Sequence, residues 1–280
     1  MTWNHGLRRA WLVVGVLMLV VLALGACTMM GGGAATVEET GGDIPEIAVE
    51  LTDAGPSIAE EVPSGVVAIN LSAFPDAVLA RLNEGATLEQ FNEGLSQPDP
   101  TAAVSLVSLL GGASNTTDGK LIVDLQPGQH VLVNFLEDGP PSVAPFTAGE
   151  ASGATAPAAD VTVDLVDFNF AIPAEITAGP KVWQISNKGQ QWHEMAIVKL
   201  NEGATIDDVM AMLQSEEESS GPPPFEDVAF WSPNSPGETG YVTWDLPAGE
   251  YTVLCFLPDL AGDMSSHAAH GMVANLTVTE

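Results

Sequence analysis

The chain has 280 residues, of which 7 are basic and 37 are acidic, so its formal net charge at pH 7 is −30. A surface this acidic repels phosphate backbones, which excludes nucleic acid as a partner. A basic protein partner would suit the charge, although a solubilising surface explains it equally well. The length predicts two domains.

The N-terminal 26 residues have the pattern of a signal peptide. Arg8 and Arg9 precede an uncharged, mostly apolar run over residues 10–26, as in the n-region and h-region of a secretory signal. The run ends in LGAC at 24–27, which resembles a bacterial lipoprotein lipobox. That resemblance implies cleavage before Cys27, lipidation of its sulfur, and an extracytoplasmic location at a bacterial membrane. A plain membrane anchor is the alternative, because the run could nearly span a bilayer.

The rest of the chain contains one internal repeat. Residues 49–69 align with 163–185 after a two-residue insertion, LNEGAT at 82–87 recurs at 200–205, and DLQPG at 124–128 corresponds to DLPAG at 245–249. A repeat of this length indicates two copies of one structural unit. The segment between the two copies, 150–159, has no bulky apolar residue, which is typical of a flexible linker. The predicted division is a tether at 27–42, a first copy at 43–149, a linker at 150–159 and a second copy at 160–280.

Both copies are predicted to be all-β, forming two tandem antiparallel Greek-key β-sandwiches. Short runs of alternating apolar and polar residues, rich in Val, Ile and Thr, are bounded by Gly, Pro, Asn and Asp, as expected for strands. About six such strands in a row make a sandwich. A short helix interrupts each copy, at 87–95 and 205–214, where a threonine cap precedes early acidic residues. Residues 216–236 lack a clear period and are predicted to be a surface loop in which Trp231 is an anchor.

Only the second copy carries a set of potential metal ligands, namely His193, Cys255, His267 and Met272. In the register of the repeat, Cys255 faces Asn134, Met272 faces Ser142, and His193 falls near Pro75. His267 has no counterpart, because the first copy is shorter there. If Cys27 is lipidated, Cys255 has no cysteine left to pair with, so it is either buried and inert or a metal ligand.

The second copy resembles the cupredoxins, the small blue-copper sandwiches that include plastocyanin and azurin. Three segments carry the resemblance: NKGQQWH at 187–193, which is similar to the turn that ends in the first ligand histidine; LPAGEYTVLC at 246–255, which is similar to the strand that ends in the ligand cysteine; and HAAHGM at 267–272, with the plastocyanin spacing between histidine and methionine. The resemblance implies copper bound by His193, Cys255 and His267 with Met272 as a weak axial ligand, and one-electron transfer. Through the repeat it extends weakly to the first copy, which would be a degenerate domain without metal ligands.

One feature departs from the cupredoxin pattern. Eleven residues, Phe256–Ser266, separate Cys255 from His267, where blue copper proteins have only a few. This loop could fold back and place His267 beside Cys255, or it could leave the histidines in solvent. His270 lies two residues from Met272, a poor spacing for joint ligation, and is expected to face solvent or to act as a substitute ligand.

Three functions remain open from the sequence: electron transfer, copper storage or delivery, and a copper-free scaffold lipoprotein built from two cupredoxin-like domains. A cysteine hydrolase is disfavoured, because Cys255 lies within a strand-like run and no oxyanion-hole motif follows it. The sequence therefore predicts a protein that is not an enzyme.

Overall fold

The computed structural model describes residues 43–52, 55–74, 76–97, 101–135, 140–214 and 222–280. The predicted signal peptide at 1–26, the tether at 27–42 with Cys27, and Pro75 lie outside the described residues. Within the described ranges, no helix has both the length and the apolar character needed to cross a membrane.

The first copy is built of short strands with two helices between them. Its alternating segments form strands as predicted: in 121–125, Leu121, Val123 and Leu125 are at most 2% exposed and face the core. The first helix begins at a capping box between Thr87 and Gln90. The elements are β1 (Glu46–Ile47), β2 (Glu50–Thr52), β3 (Gly55–Ser57), β4 (Glu61–Asn70), β5 (Ala77–Leu82), α1 (Leu88–Leu95), α2 (Thr101–Val104), β6 (Val107–Gly111), β7 (Ala113–Ser114), β8 (Lys120–Leu125), β9 (Gly128–Asn134) and β10 (Ser142–Ala151).

The second copy repeats this order with a single helix. Its elements are β11 (Val161–Val166), β12 (Asn169–Ala171), β13 (Glu175–Thr177), β14 (Gly179–Asn187), β15 (His193–Leu200), α3 (Ile206–Gln214), β16 (Phe225–Asn234), β17 (Thr239–Leu246), β18 (Gly249–Leu254) and β19 (Val273–Thr279). Strands dominate and the helices are short, so the all-β prediction is confirmed, as is the presence of a helix in each copy. α2 was not predicted.

The surface loop predicted over 216–236 is wrong for residues 225–234, and its residues 216–221 lie outside the described ranges. Residues 225–234 form strand β16, which pairs with β15, and Trp231 is fully buried. The β15–β16 register shifts between Ile197 and Val198, and such a bulge breaks the two-residue alternation by which a strand is recognised in a sequence.

The two copies are joined edge to edge. β8 of the first copy pairs with β17 of the second, with Leu121 opposite Val242, and β16 pairs with β6 and β7. One layer therefore runs β1-β4-β8-β17-β14-β11-β12, and the other runs β10-β9-β5-β6-β16-β15-β18-β19-β13. Leu121 and Val242 are equivalent positions of the repeat, so an approximate twofold axis passes between them. Pairing of this kind removes two open sheet edges.

The connection between the copies is partly ordered by hydrogen bonds. β10 runs through Ala151, two residues into the segment predicted as a linker. The next residue, Ser152, donates its N–H to the carbonyl of Ser64 (2.7 Å) and its hydroxyl to the carbonyl of Val66 (3.0 Å). The described segment without strand structure therefore begins at Ser152.

Candidate metal centre

Three of the four predicted ligands lie together at one end of the second copy. His193 is the first residue of β15, Cys255 directly follows β18, and His267 precedes β19. The Nδ1 atoms of the two histidines are 3.1 Å apart, and the Sγ atom of Cys255 is 3.3 Å from Nδ1 of His267. All three donor atoms lie within 4.8 Å of one another. The residues are 0 to 1% exposed, so the cluster is closed to bulk water.

The long Cys255–His267 loop folds back on itself. Its two ends are tied by backbone hydrogen bonds, from His267 N–H to the carbonyl of Leu257 (2.8 Å) and from Ala268 N–H to the carbonyl of Cys255 (2.9 Å). Pro258 and Ser266 form an isolated bridge between the two arms. The extra residues extend beyond this bridge, so the loop's length does not separate the two ligands.

Met272 is fully buried at the start of the last strand. Its N–H donates to the carbonyl of His267 (2.9 Å), and its carbonyl accepts the N–H of Cys255 (3.3 Å). In the first copy the positions equivalent to Cys255 and Met272, Asn134 and Ser142, lie opposite each other on β9 and β10. The fold thus places these two positions side by side in both copies, and only the second copy has sulfur-containing residues there.

The turn before His193 is held by a buried asparagine. Asn187 donates its side-chain amide to the carbonyls of Gln191 and Asn234, both at 2.8 Å. Its side-chain oxygen accepts the N–H of Gly189 (2.9 Å). These bonds satisfy a side chain with no exposed surface and fix the direction in which His193 enters β15.

Two carboxylates that sequence reasoning missed stand next to the ligands. Asp167 Oδ1 is 3.0 Å from Nε2 of His193. Glu194 is fully buried, and its Oε1 accepts the N–H of Phe256 (3.0 Å). A glutamate that interrupts the apolar run of β15 was a signal in the sequence, because a buried charged side chain needs a specific partner. Asp167 has no comparable signal.

Burial controls the protonation of the donors. It lowers the pKa of His193, against the opposing effect of Asp167, and it lowers the pKa of His267 to about 4. Both imidazoles are therefore neutral near pH 7 and have a free lone pair. Burial, together with the nearby Glu194, raises the pKa of the Cys255 thiol well above its usual value. Burial also raises the pKa of Glu194 to about 7.

The donor set fits copper. Two imidazole nitrogens and one thiol sulfur converge in a buried space, and no carboxylate oxygen belongs to this group of donors. Imidazole and thiolate ligands of this kind suit copper or zinc, and a trigonal two-histidine, one-cysteine set is typical of electron-transfer copper sites. The His193–Cys255–His267 group can therefore hold a copper ion.

His270 does not join this group. Its Nε2 lies 2.9 Å from Asp263 Oδ1 and 3.7 Å from Asp259 Oδ2, and its side chain is 31% exposed. It therefore faces solvent and links the tip of the Cys255–His267 loop to the turn before β19.

A shallow cavity of about 260 Å³ opens beside the centre. Trp192, the neighbour of His193 in the chain, lies on one side, and Leu257, Pro258, Leu260 and Ala261 of the long loop lie on the other. Leu260 is 43% exposed. Gln190 and Gln191 complete a lining that is otherwise apolar, whereas the chain as a whole is strongly acidic.

A scan against protein-family models finds no match to this chain, and a search of curated proteins finds none either. Solved structures similar to it include auracyanin B, with 20% identity over 45% of this chain and 94% of that chain and a TM-score of 0.32. Auracyanin A from Chloroflexus aurantiacus, described as a blue copper protein, is 19% identical over 42% of this chain and 96% of that chain, with a TM-score of 0.30. A multi-copper oxidase from Pediococcus acidilactici is 10% identical over 85% of this chain and 59% of that chain, with a TM-score of 0.25.

Sequence identities and TM-scores as low as these do not allow a conclusion about the function of this chain. Because an oxidase is among these structures, the prediction that the chain is not an enzyme gains no support from them. We therefore infer function from the donor atoms of this chain.

Proposed function

We propose that this chain is a copper protein that transfers single electrons. His193 and His267 would hold the copper ion through their Nδ1 atoms, Cys255 would hold it as a thiolate, and Met272 would add a weak thioether ligand. The convergence of two Nδ1 atoms and one Sγ atom within 4.8 Å, in a fully buried space, is the observation that carries this proposal.

The surroundings of the donors suit electron transfer. Copper held by such a set supplies a one-electron couple. The protein holds the donors in place through β15, through the end of β18 and through the hydrogen-bonded base of the Cys255–His267 loop. Ligands fixed by a closely packed sandwich have little freedom to move when the charge of the metal changes. The buried position also excludes water as a competing ligand.

The apolar cavity beside Trp192 is the proposed approach for a redox partner. Its lining includes Trp192, which precedes His193 in the chain, and Leu257. The carbonyl of Leu257 accepts the N–H of His267. A partner with an apolar contact face and a basic rim would fit this surface, because the net charge of the chain is −30.

The location and the absence of enzymatic activity are further parts of the proposal. The LGAC segment at 24–27 supports lipidation of Cys27 and an extracytoplasmic location, anchored to a bacterial membrane. The first copy has a structural role, since its β6, β7 and β8 extend both sheets of the second copy.

Copper delivery is disfavoured, because a donor set without exposed surface releases its ion slowly.

The test is the visible spectrum of the purified full chain titrated with Cu(II). We expect an intense thiolate-to-copper band at one equivalent, absent from Cys255→Ser. The matched control is Cys27→Ser, which removes the other cysteine and should leave the band unchanged. A colourless wild-type protein that binds no stoichiometric copper would show that the two sandwiches serve a different function.

A further inference from the structure

The tip of the β11–β12 hairpin touches both histidines of the centre. β11 ends at Val166 and β12 begins at Asn169, so the tip consists of Asp167 and Phe168. Asp167 contacts His193 through the 3.0 Å Oδ1–Nε2 pair. The ring of Phe168 packs edge-on against the ring of His267, with centroids 5.3 Å apart. The hairpin belongs to the opposite sheet from β15 and β18, so it reaches the donors from across the sandwich.

The carboxylate of Asp167 is held in one position. Both of its oxygens accept the N–H of Gln190, at 2.8 and 3.1 Å, and Oδ1 also accepts the N–H of Gln191 (3.2 Å). The carboxylate is therefore a hydrogen-bond acceptor with a fixed direction.

The turn that precedes His193 is bonded to the same hairpin. Lys188 and Gly189 both donate their N–H groups to the carbonyl of Leu165, at 2.8 and 3.1 Å. A Cβ atom on Gly189 would lie 2.6 Å from Nε2 of His193, closer than real side chains allow. Glycine at position 189 therefore leaves room for the contact between His193 Nε2 and Asp167 Oδ1.

Phe168 adopts a backbone conformation that is unusual for a bulky residue. Its φ is +60°, in the left-handed region that side chains other than glycine, asparagine and aspartate rarely occupy. Strain of this kind persists only where the surroundings impose it. Here it accompanies contacts of the Phe168 ring with both His267 and His270.

A carboxylate oxygen 3.0 Å from Nε2 determines which nitrogen of His193 carries the proton. The Nε2–H tautomer donates to Asp167, so the Nδ1 lone pair faces Nδ1 of His267 and Sγ of Cys255. A carboxylate behind a ligand histidine fixes its ring and raises its basicity as a ligand. A more basic imidazole stabilises Cu(II) relative to Cu(I).

We propose that Asp167 is a positioning residue of this centre: it sets the Nε2–H tautomer of His193, strengthens the binding of Cu(II) and lowers the reduction potential. The copper part of this inference rests on the proposed function, whereas the tautomer is a property of the metal-free protein. Phe168, on the same hairpin tip, holds the second histidine from the side.

The experiment compares the full chain with Asp167→Ala, Asp167→Asn and Asp164→Asn. Asp164 lies on β11, the strand that leads to Asp167, and its substitution also removes one negative charge, so it is the matched control. The first readout is the ¹⁵N NMR spectrum of the metal-free imidazoles. We expect the Nε2–H tautomer of His193 in the wild type and in Asp164→Asn, and a mixture of tautomers in Asp167→Ala.

The second readout is copper binding and the reduction potential. We expect Asp167→Ala to bind Cu(II) about 10- to 100-fold more weakly and to have a higher potential, with Asp167→Asn between it and the wild type. Equal thermal melting of the metal-free variants shows that each is folded.

The outcomes separate this inference from the proposed function. An Nδ1–H tautomer in the wild type, or a tautomer that Asp167→Ala does not change, overturns the positioning role even if copper binds. The same holds if Asp167→Ala and Asp164→Asn bind copper equally well. A wild-type protein that binds no copper overturns the proposed function and the copper part of this inference, while the NMR result still decides the tautomer.

Discussion

The Nδ1 atoms of His193 and His267 lie 3.1 Å apart although the two residues are 74 positions apart in the chain. Two neutral imidazoles can share one proton at this distance, and the Sγ atom of Cys255 lies 3.3 Å from the same Nδ1 atom of His267. A single cation among the three donors would take up one lone pair from each of them.

Copper binding should release one proton, and that proton comes from Cys255. Burial raises the pKa of this thiol well above its usual value, so it is protonated at pH 7, whereas the pKa values of both histidines are lowered and they carry no extra proton. Metal coordination requires the thiolate. We therefore expect the copper affinity to rise about tenfold per pH unit through neutral pH.

Calorimetric titrations in buffers of different ionisation enthalpy measure that proton directly. Cys255→Ser is the control, since it lacks the thiol. Release of two or more protons near pH 7 would contradict the assignment of neutral histidines in the metal-free protein.

Substituting Glu194 by glutamine should stabilise the protein at alkaline pH. Burial raises the pKa of this carboxyl from 4.5 to about 7, so the folded state holds a proton that the unfolded state loses. The free energy of unfolding therefore falls as the pH rises from 4.5 through 7, by up to roughly 3 kcal/mol. Glutamine keeps the oxygen that accepts the N–H of Phe256 and does not ionise.

Urea unfolding of the metal-free wild type and Glu194→Gln, repeated from acidic to alkaline pH, checks this. The difference in the free energy of unfolding should be small below pH 4.5 and reach its full size above pH 7. A difference that does not change with pH would mean that the pKa of Glu194 is the same in the folded and unfolded states.

His130 should make the first copy sensitive to acid. This histidine is buried against Phe146, and burial lowers its pKa from 6.5 to about 4. A histidine with a depressed pKa contributes stability above its unfolded pKa, and that contribution is lost as the pH falls from 6.5 through 4. The loss amounts to roughly 3 kcal/mol.

In His130→Leu the free energy of unfolding should fall less between pH 7 and pH 4 than in the wild type. The side chain keeps a similar volume but cannot take up a proton. Chemical denaturation at the two pH values measures the difference, and an identical fall in both proteins would exclude His130 as the acid-sensitive group.

Gly111→Ala should weaken the junction between the copies. A Cβ atom at this position would lie 2.7 Å from the indole of Trp231, a fully buried residue of β16 in the other copy. Overpacking of this kind costs about 1–3 kcal/mol, in addition to the cost of alanine at the positive φ of 94°.

Gly128→Ala is the matched control for that substitution. Gly128 also has a positive φ, of 130°, but a Cβ atom there would meet nothing within 4 Å. Wild-type protein should unfold in urea in one transition, because paired strands join the copies. A loss of stability no larger than that of Gly128→Ala would show that contact with Trp231 contributes nothing to the junction.

The sequence by itself determined the local features of this protein. Strand alternation and the threonine-capped helices depend on neighbouring residues, and the all-β fold and the short helix that they predict in each copy are confirmed. The residue types at 193, 255, 267 and 272 by themselves also predict a site for a soft metal ion. β16 escaped detection, because its bulge disrupts the alternation on which strand prediction relies.

Tertiary structure decided what depends on residues far apart in the chain. The sequence left two conformations open for the Cys255–His267 loop, and the backbone hydrogen bonds at its base select the one that brings the ligands together. The pairing of β8 with β17 and the contact of Asp167 with His193 left no pattern in the sequence. A strand edge or a carboxylate acquires its partner only when the sheets pack, because that partner is chosen by distance in space and not by spacing along the chain.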